Sequence, residues 1–248
     1  MSLLNRKPPK LSKEDSDRFI NRAKENERRL AEKNRRLKEE YINMTNKMDE
    51  QIIVVPRKAL FANEELLFEG TESRAIRVAK LNENIQKNFG VMRRGDAEEN
   101  KAFKQPIPYA VIKRGDEVFL YERLEGGGEA GLHGKLSIGA GGHMNLDGHN
   151  FEESLMNNLN RELEEELDIQ SSKKELKVVG FINSEATPVD QVHIGVLVVL
   201  YLDKNATVTV RETDQLKGSF VDLVALKQTE VYDRLENWSK IAVDTLLY

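Results

Sequence analysis

Residues 192–202, VHIGVLVVLYL, constrain this chain more than any other segment. Their β-branched and aliphatic side chains favour extended backbone, and their near-continuity leaves no face for water. A strand of this kind lies centrally in a sheet that is covered on both sides. Residues 176–182 form another strand. Two further runs, 109–112 and 118–121, flank Lys113-Arg114-Gly115-Asp116 and read as a hairpin. Leu136-Ser137-Ile138 is a short strand that enters Gly139-Ala140-Gly141-Gly142, and a helix over 151–167 follows. A last helix is predicted over 230–247, where Leu235, Trp238, Ile241, Ala242 and Leu246 are linked by steps of three and four. Strands and helices alternate irregularly, which predicts an α/β fold with a mixed sheet between helices.

Upstream, Ile52-Ile53-Val54-Val55 is stopped by Pro56 and reads as a buried strand. Leu66-Leu67-Phe68 reads as a short strand, 72–88 as a helix, and 90–105 as polar and irregular. Before Gln51 the character of the chain changes. Pro8 and Pro9 keep the first residues extended, and Ser12 followed by Asp15 resembles a helix N-cap with an acidic first turn. From there to Met48 there is neither Gly nor Pro. Residues 1–48 hold 14 Lys/Arg against 8 Asp/Glu, whereas the chain as a whole carries a net charge of −4. Such a split predicts a charged helical arm over 1–50 ahead of a domain over 51–248. Ala23, Leu30, Leu37 and Met44 recur every seventh residue, but the companion seam of Ile20, Glu27, Asn34, Tyr41 and Met48 is half polar. A homodimer through this helix and a solvated lone helix are both compatible with that pattern. Interleaved acids and few aromatics rank nucleic-acid binding low.

The chain has no cysteine, which excludes disulfides and thiolate metal sites. No apolar run is long enough to span a membrane, and MSLLNRKPPK lacks the apolar core of a secretory signal. A cytoplasmic location is the expectation.

The chemistry concentrates in the helix around Arg161-Glu162-Leu163-Glu164-Glu165-Glu166. Glu162, Glu165 and Glu166 stand at i, i+3 and i+4 and therefore share a face. Carboxylates so close repel one another unless a cation sits among them. Hard oxygen donors point to Mg²⁺ or Mn²⁺, with phosphate oxygens and water completing the shell. Leu155, Leu159, Leu163 and Leu167 form the adjacent apolar strip that would press this helix onto the sheet. Alone, ELEEEL is a common string in solvated helices. The wider spacing is more specific: a Gly-Gly turn after a strand, Glu153, then Arg161-Glu162-Leu163 and Glu165-Glu166, with Ile169 after.

This pattern resembles the Nudix box, with Gly142, Glu153, Arg161, Glu162, Leu163, Glu165, Glu166 and Ile169 as the matching residues. Two positions depart from it. Ten residues separate Gly142 from Glu153, twice the family's spacing, and Asp168 stands where the family carries Gly. Asp tolerates the left-handed conformation that such a helix end can need. The long loop, with the IPY and LENWS segments, looks like a Nudix subgroup known only as predicted phosphoesterases. The resemblance implies a Nudix-type α/β/α sandwich with a mixed sheet, here preceded by a long N-terminal helix. It implies a pyrophosphohydrolase acting on a small-molecule diphosphate, a nucleoside diphosphate linked to another moiety, by water attack at phosphorus. It also implies that Glu162, Glu165, Glu166 and Glu153 ligate Mg²⁺ or Mn²⁺, with Arg161 buttressing the glutamates.

Other residues carry both functional and structural readings. Glu153 falls opposite the acidic face of a straight helix, where favourable charge in a first turn explains it almost as well. Gly141, Gly142 and His143 lie where phosphate would be bound, although a solvated loop explains His143. His193, inside an apolar strand, reads as a satisfied core histidine. Glu212 is the candidate extra base, with Asp214 and Glu185 as alternatives. Gly126-Gly127-Gly128 lacks the Gly-Lys-Ser/Thr ending of a phosphate-binding P-loop and reads as a flexible connection or lid. Tyr109 and Phe181 read as core rather than base-stacking residues. The competing function is a non-catalytic Nudix-like module that binds a nucleotide and docks through its arm. Isopentenyl diphosphate isomerase, of the same fold, uses a cysteine that this chain lacks.

Overall fold

A computed structural model describes residues 13–124, 134–211 and 216–247. The expectations for Ser12, Gly126 to Gly128, Glu212 and Asp214 fall outside the described residues. The chain divides into two compact units, Met1–Lys47 and Met48–Tyr248. The first is dominated by helix α1, Lys13–Asp49. Its surface carries i, i+4 pairs, Glu25 with Arg29 at 2.7 Å and Glu32 with Arg36 at 3.3 Å. Leu30, Leu37 and Met44 of the heptad seam are exposed. Among the described residues no helix is long and apolar enough to cross a membrane.

The second unit begins with β1 (Gln51–Pro56), α2 (Arg57–Leu60), β2 (Gly70–Glu72), α3 (Ala75–Asn88), β3 (Gly90–Arg93) and α4 (Arg94–Glu98). The hairpin is β4 (Phe103–Arg114) and β5 (Glu117–Arg123); β6 (Leu136–Ser137) and β7 (Gly139–Ala140) lead to α5 (Phe151–Glu166). Then come β8 (Leu167–Gln170), β9 (Lys174–Asn183), α6 (Pro188–Val192), β10 (His193–Leu202), β11 (Thr207–Val210) and β12 (Leu216–Asp222). A 3₁₀ turn over Leu223–Lys227, α7 (Thr229–Tyr232) and α8 (Asn237–Leu246) close the unit.

The main sheet runs β12-β5-β4-β10-β9-β2, with β10 parallel to β4 and antiparallel to β9. The apolar run thus lies centrally, and the sheet is mixed. Alternation along the strands divides the core between two faces. Ala110, Ile112, Val196, Val198 and Leu200 pack with Leu155, Leu159 and Leu163 of α5 and with Leu81 and Ile85 of α3. Tyr109, Val111 and Leu197 face the other way, against Ala242 and Val243 of α8 and Leu223 and Leu226 of the 3₁₀ turn. The result is an α/β/α sandwich. Leu159 is fully buried, and such burial contributes about 1.5–3 kcal/mol, anchoring α5 by its apolar strip.

Several local expectations are corrected. Leu66, Leu67 and Phe68 form no strand; they pack against the core beyond a turn in which Ala62, Asn63 and Glu64 have positive φ, and the strand comes later as β2. Residues 90–105 are not irregular throughout. They hold β3, which pairs with β1, then α4 and the start of β4. Backbone pairing supplies the order there that side-chain periodicity does not announce. The closing helix is interrupted because the chain at Leu136 bonds to the backbone of Arg234 and Glu236. Glu236 then caps α8 by accepting from Trp238 N. No left-handed residue ends α5, for Asp168 is extended in β8 opposite Thr209 of β11. Leu167 N still bonds Leu163 O, so the helix passes directly into a strand.

Candidate functional site

Helix α5 starts at Asn150, whose side chain accepts from Glu153 N at 2.9 Å. Glu153 reaches back to His149 N at 2.7 Å. Glu153 therefore helps hold the helix N-terminus through its side chain, besides placing negative charge in the first turn. At the other end Arg161 lies between two of the glutamates, 3.0 Å from Glu162 and 3.4 Å from Glu165. Its guanidinium also donates to Asn158 at 3.1 Å. Arg161 thus contacts Glu162, Glu165 and Asn158 together.

Within the acidic strip Glu162 and Glu166 are partly buried and Glu165 is exposed. Burial pushes the Glu162 carboxyl above its ordinary value; the Arg161 charge opposes this, while the Glu165 charge adds to it. A carboxylate in that position is stabilised by a cation. Gly142 explains the burial, since a Cβ there would meet the three carboxylate atoms of Glu162 at 2.8–2.9 Å. Gly141 serves packing as well: its Cβ would fall 1.7 Å from the Pro108 carbonyl oxygen. The Gly-Gly turn and the acidic helix therefore meet despite the long loop between them.

That loop is pinned on two sides. Ile53 N donates to Met144 O at 2.7 Å, and Met144 is buried. Buried Asn158 of α5 accepts from Asn145 N at 3.0 Å and donates to Asn145 O at 2.8 Å. Asn145 Nδ2 reaches Gln51 O at 3.0 Å, and Asn157 Nδ2 reaches Asp147 O at 2.7 Å. The additional residues are a strap between β1 and α5, and they fix His143.

His143 is not a solvated loop residue. Its Nε2 lies 3.1 Å from His193 Nε2 and 3.2 Å from Glu98 Oε1, while His193 Nε2 lies 3.9 Å from Glu98 Oε2. His193 is buried with both ring nitrogens partnered, as its place in an apolar strand predicts, and one of those partners is His143. Its Nδ1 faces Val189 O at 2.7 Å, which assigns the proton to Nδ1 and leaves the Nε2 lone pair directed at the cluster. Burial lowers the His193 pKa and favours the neutral ring. Burial acts to raise the Glu98 pKa, but the His143 hydrogen bond and the electrostatic influence of His193, His143 and Arg94 bring it down to about 2.

Among the described residues, these three are the group whose ligand atoms all lie within 4.8 Å of one another; Glu162, Glu165 and Glu166 are not gathered so tightly. No pattern in the sequence points to Glu98. It lies at the end of a short helix in a polar stretch, and no local spacing links it to either histidine.

Glu185, an alternative base, is paired with Arg57 at 2.8 Å and with the fully buried Lys104 at 2.9 Å. Tyr109 and Phe181 are buried core residues; Tyr109 stacks edge-on against Trp238, and its hydroxyl bonds Ser239 at 2.8 Å.

No protein-family model matches the chain. Protein YmaB of Bacillus subtilis (strain 168) is 51% identical over 203 residues, which is 81% of this chain and 98% of that protein. Among solved structures, Tm1382, a protein classed with the Nudix hydrolases, is 30% identical with a TM-score of 0.66. That match covers 80% of this chain and 98% of Tm1382.

Proposed function

The chain belongs to the Nudix hydrolase family, and from that premise we propose that it hydrolyses a diphosphate bond in a nucleoside diphosphate linked to another moiety. Residues 1–50 are read as its charged arm and 51–248 as the hydrolase domain. The observation that carries the reading is the close approach of the Glu162 carboxylate to Gly142, within 2.8–2.9 Å of where a Cβ would stand. It brings the glycine turn and the acidic helix together across a loop twice the family's length.

The donor set fits a hard divalent cation. Glu162 is held in a partly buried position that disfavours its charged form, and Glu165 adds to that cost. Glu162, Glu165 and Glu166 would hold Mg²⁺ or Mn²⁺, which would acidify the attacking water and neutralise charge on the diphosphate. Arg161 keeps Glu162 and Glu165 apart and oriented. Glu153 anchors the helix on which they stand. Glu165, exposed at the rim, can accept the proton of the attacking water.

The test is turnover of a panel of nucleoside diphosphate conjugates with Mg²⁺ or Mn²⁺. Glu165→Gln keeps the shape of the side chain and should lower turnover by about 100-fold or more. Equal inertness of the wild type and this variant across the panel would refute the hydrolase reading.

A further inference from the structure

We infer that Glu98, His143 and His193 form a second metal site, one that takes a divalent transition-metal ion of the zinc class and is distinct from the carboxylate strip of α5. Two imidazole nitrogens and one carboxylate oxygen come from three segments, the end of α4, the strap after β7 and the start of β10. Ligand atoms bound at about 2.0–2.1 Å to one ion are separated by about 2.9–3.4 Å. The two contacts of His143, at 3.1 and 3.2 Å, match that spacing, and a small rotation of the Glu98 carboxylate closes the third at 3.9 Å.

Hydrogen bonding alone leaves the cluster incomplete. With its Nδ1 proton directed at Val189 O, neutral His193 offers only a lone pair at Nε2. His143 Nε2 carries at most one proton, which cannot fully serve both His193 and Glu98. A central cation uses the lone pairs of both rings and the carboxylate together.

The surroundings are those of a ligand set held in place. The Val189 carbonyl fixes the His193 tautomer, and Arg94 Nε lies 3.4 Å from Glu98 Oε1. The side chains of His143, His193 and Glu98 are 15%, 8% and 24% exposed, so the site is enclosed yet open to one side. Gln105 is the register partner of His193, and both of its amide atoms are buried without a hydrogen-bond partner. A buried amide left in that state calls for a water or ligand nearby.

Imidazole donors select zinc and its neighbours over Mg²⁺, whereas the all-carboxylate strip of α5 selects the hard ions. Three protein ligands leave at least one coordination position for water or an anionic group.

The experiment is equilibrium dialysis of the full chain against Zn²⁺ with millimolar Mg²⁺ present to fill hard-oxygen sites, followed by metal quantification. One bound Zn²⁺ is expected, with a raised melting temperature. His143→Gln and Glu98→Gln should each weaken it by ~100-fold or more, a loss at least as large as outer-shell changes produce. Glu165→Gln should leave it unchanged. His193→Gln is a third arm, read only if its melting curve shows a folded protein; His143 and Glu98 are less buried and decide the matter otherwise. Absence of Zn²⁺ binding, or binding that survives both of those substitutions, overturns the proposal. Loss on Glu165→Gln alone would also overturn it, by placing the ion on α5. Because the readout is binding, it stands or falls independently of diphosphate turnover.

Discussion

Two clusters, one of carboxylates and one of imidazoles with a carboxylate, lie one residue apart at Gly142 and His143, and they are built in opposite ways. Glu162, Glu165 and Glu166 sit on successive turns of one helix, held in place by the apolar strip of α5. Glu98, His143 and His193 come from three segments whose relative placement depends on the whole fold. The helix provides spacing without convergence: its carboxylates are spread, and Arg161 lies between two of them. The second cluster has convergence without local spacing. Oxygen donors on a helix suit an ion that arrives with substrate and water. Nitrogen donors on locked elements suit an ion that stays.

The largest test of this contrast is the strap. Asn158 satisfies both backbone groups of Asn145, two residues beyond His143. Asn158→Ala leaves those groups without their partners and is expected to cost about 2–4 kcal/mol of stability, read from denaturant midpoints. Zinc binding should weaken with it. Unchanged zinc affinity in a folded Asn158→Ala protein would break the comparison, because His143 would then be held by something other than the strap.

The converse test disturbs the helix side. The nearest atoms to a methyl at Gly142 are the end of a flexible Glu162 side chain, so Gly142→Ala should fold normally. Displacement of that carboxylate should nevertheless lower turnover roughly ten- to hundredfold, with zinc binding kept. If zinc binding were lost instead and turnover kept, the assignment of the two clusters would be reversed.

The same contrast explains what could be read in advance. The central strand at residues 193–202 announces itself by composition, and the acidic helix by its i, i+3, i+4 spacing, because both signals are local. Glu98 does not announce itself, since its link to His143 crosses the fold from α4 to the strap. His193 reads as a core residue because its neighbours on β10 are apolar, and the partner of its Nε2, His143, lies 50 residues away in sequence. The split of the final helix has the same cause, a contact between Leu136 and residues 234–236 that lies far away in sequence.

Glu72 sharpens the account of Glu162 and carries the smallest expected effect. Both carboxylates are withdrawn from water, yet their pKa values move in opposite directions. Glu72 is held by Arg74 at 2.5 Å and by Arg77 at 2.5 Å, and its pKa falls from 4.5 to about 2, chiefly through the Arg74 hydrogen bond. Glu162 has one partly exposed arginine and a repelling glutamate, so burial prevails and its pKa rises. A carboxylate with its cations built in has no need of a metal; one without them does. Because the folded-state value of Glu72 is depressed, its contribution is fully present above the unfolded value near 4.5 and is lost as pH falls toward about 2. Near neutral pH the stability should show no slope from this group. Acid titration of the unfolding midpoint checks this: Glu72→Gln should flatten the profile between those two values, and an unchanged acid slope would show that the arginines do not hold Glu72 charged.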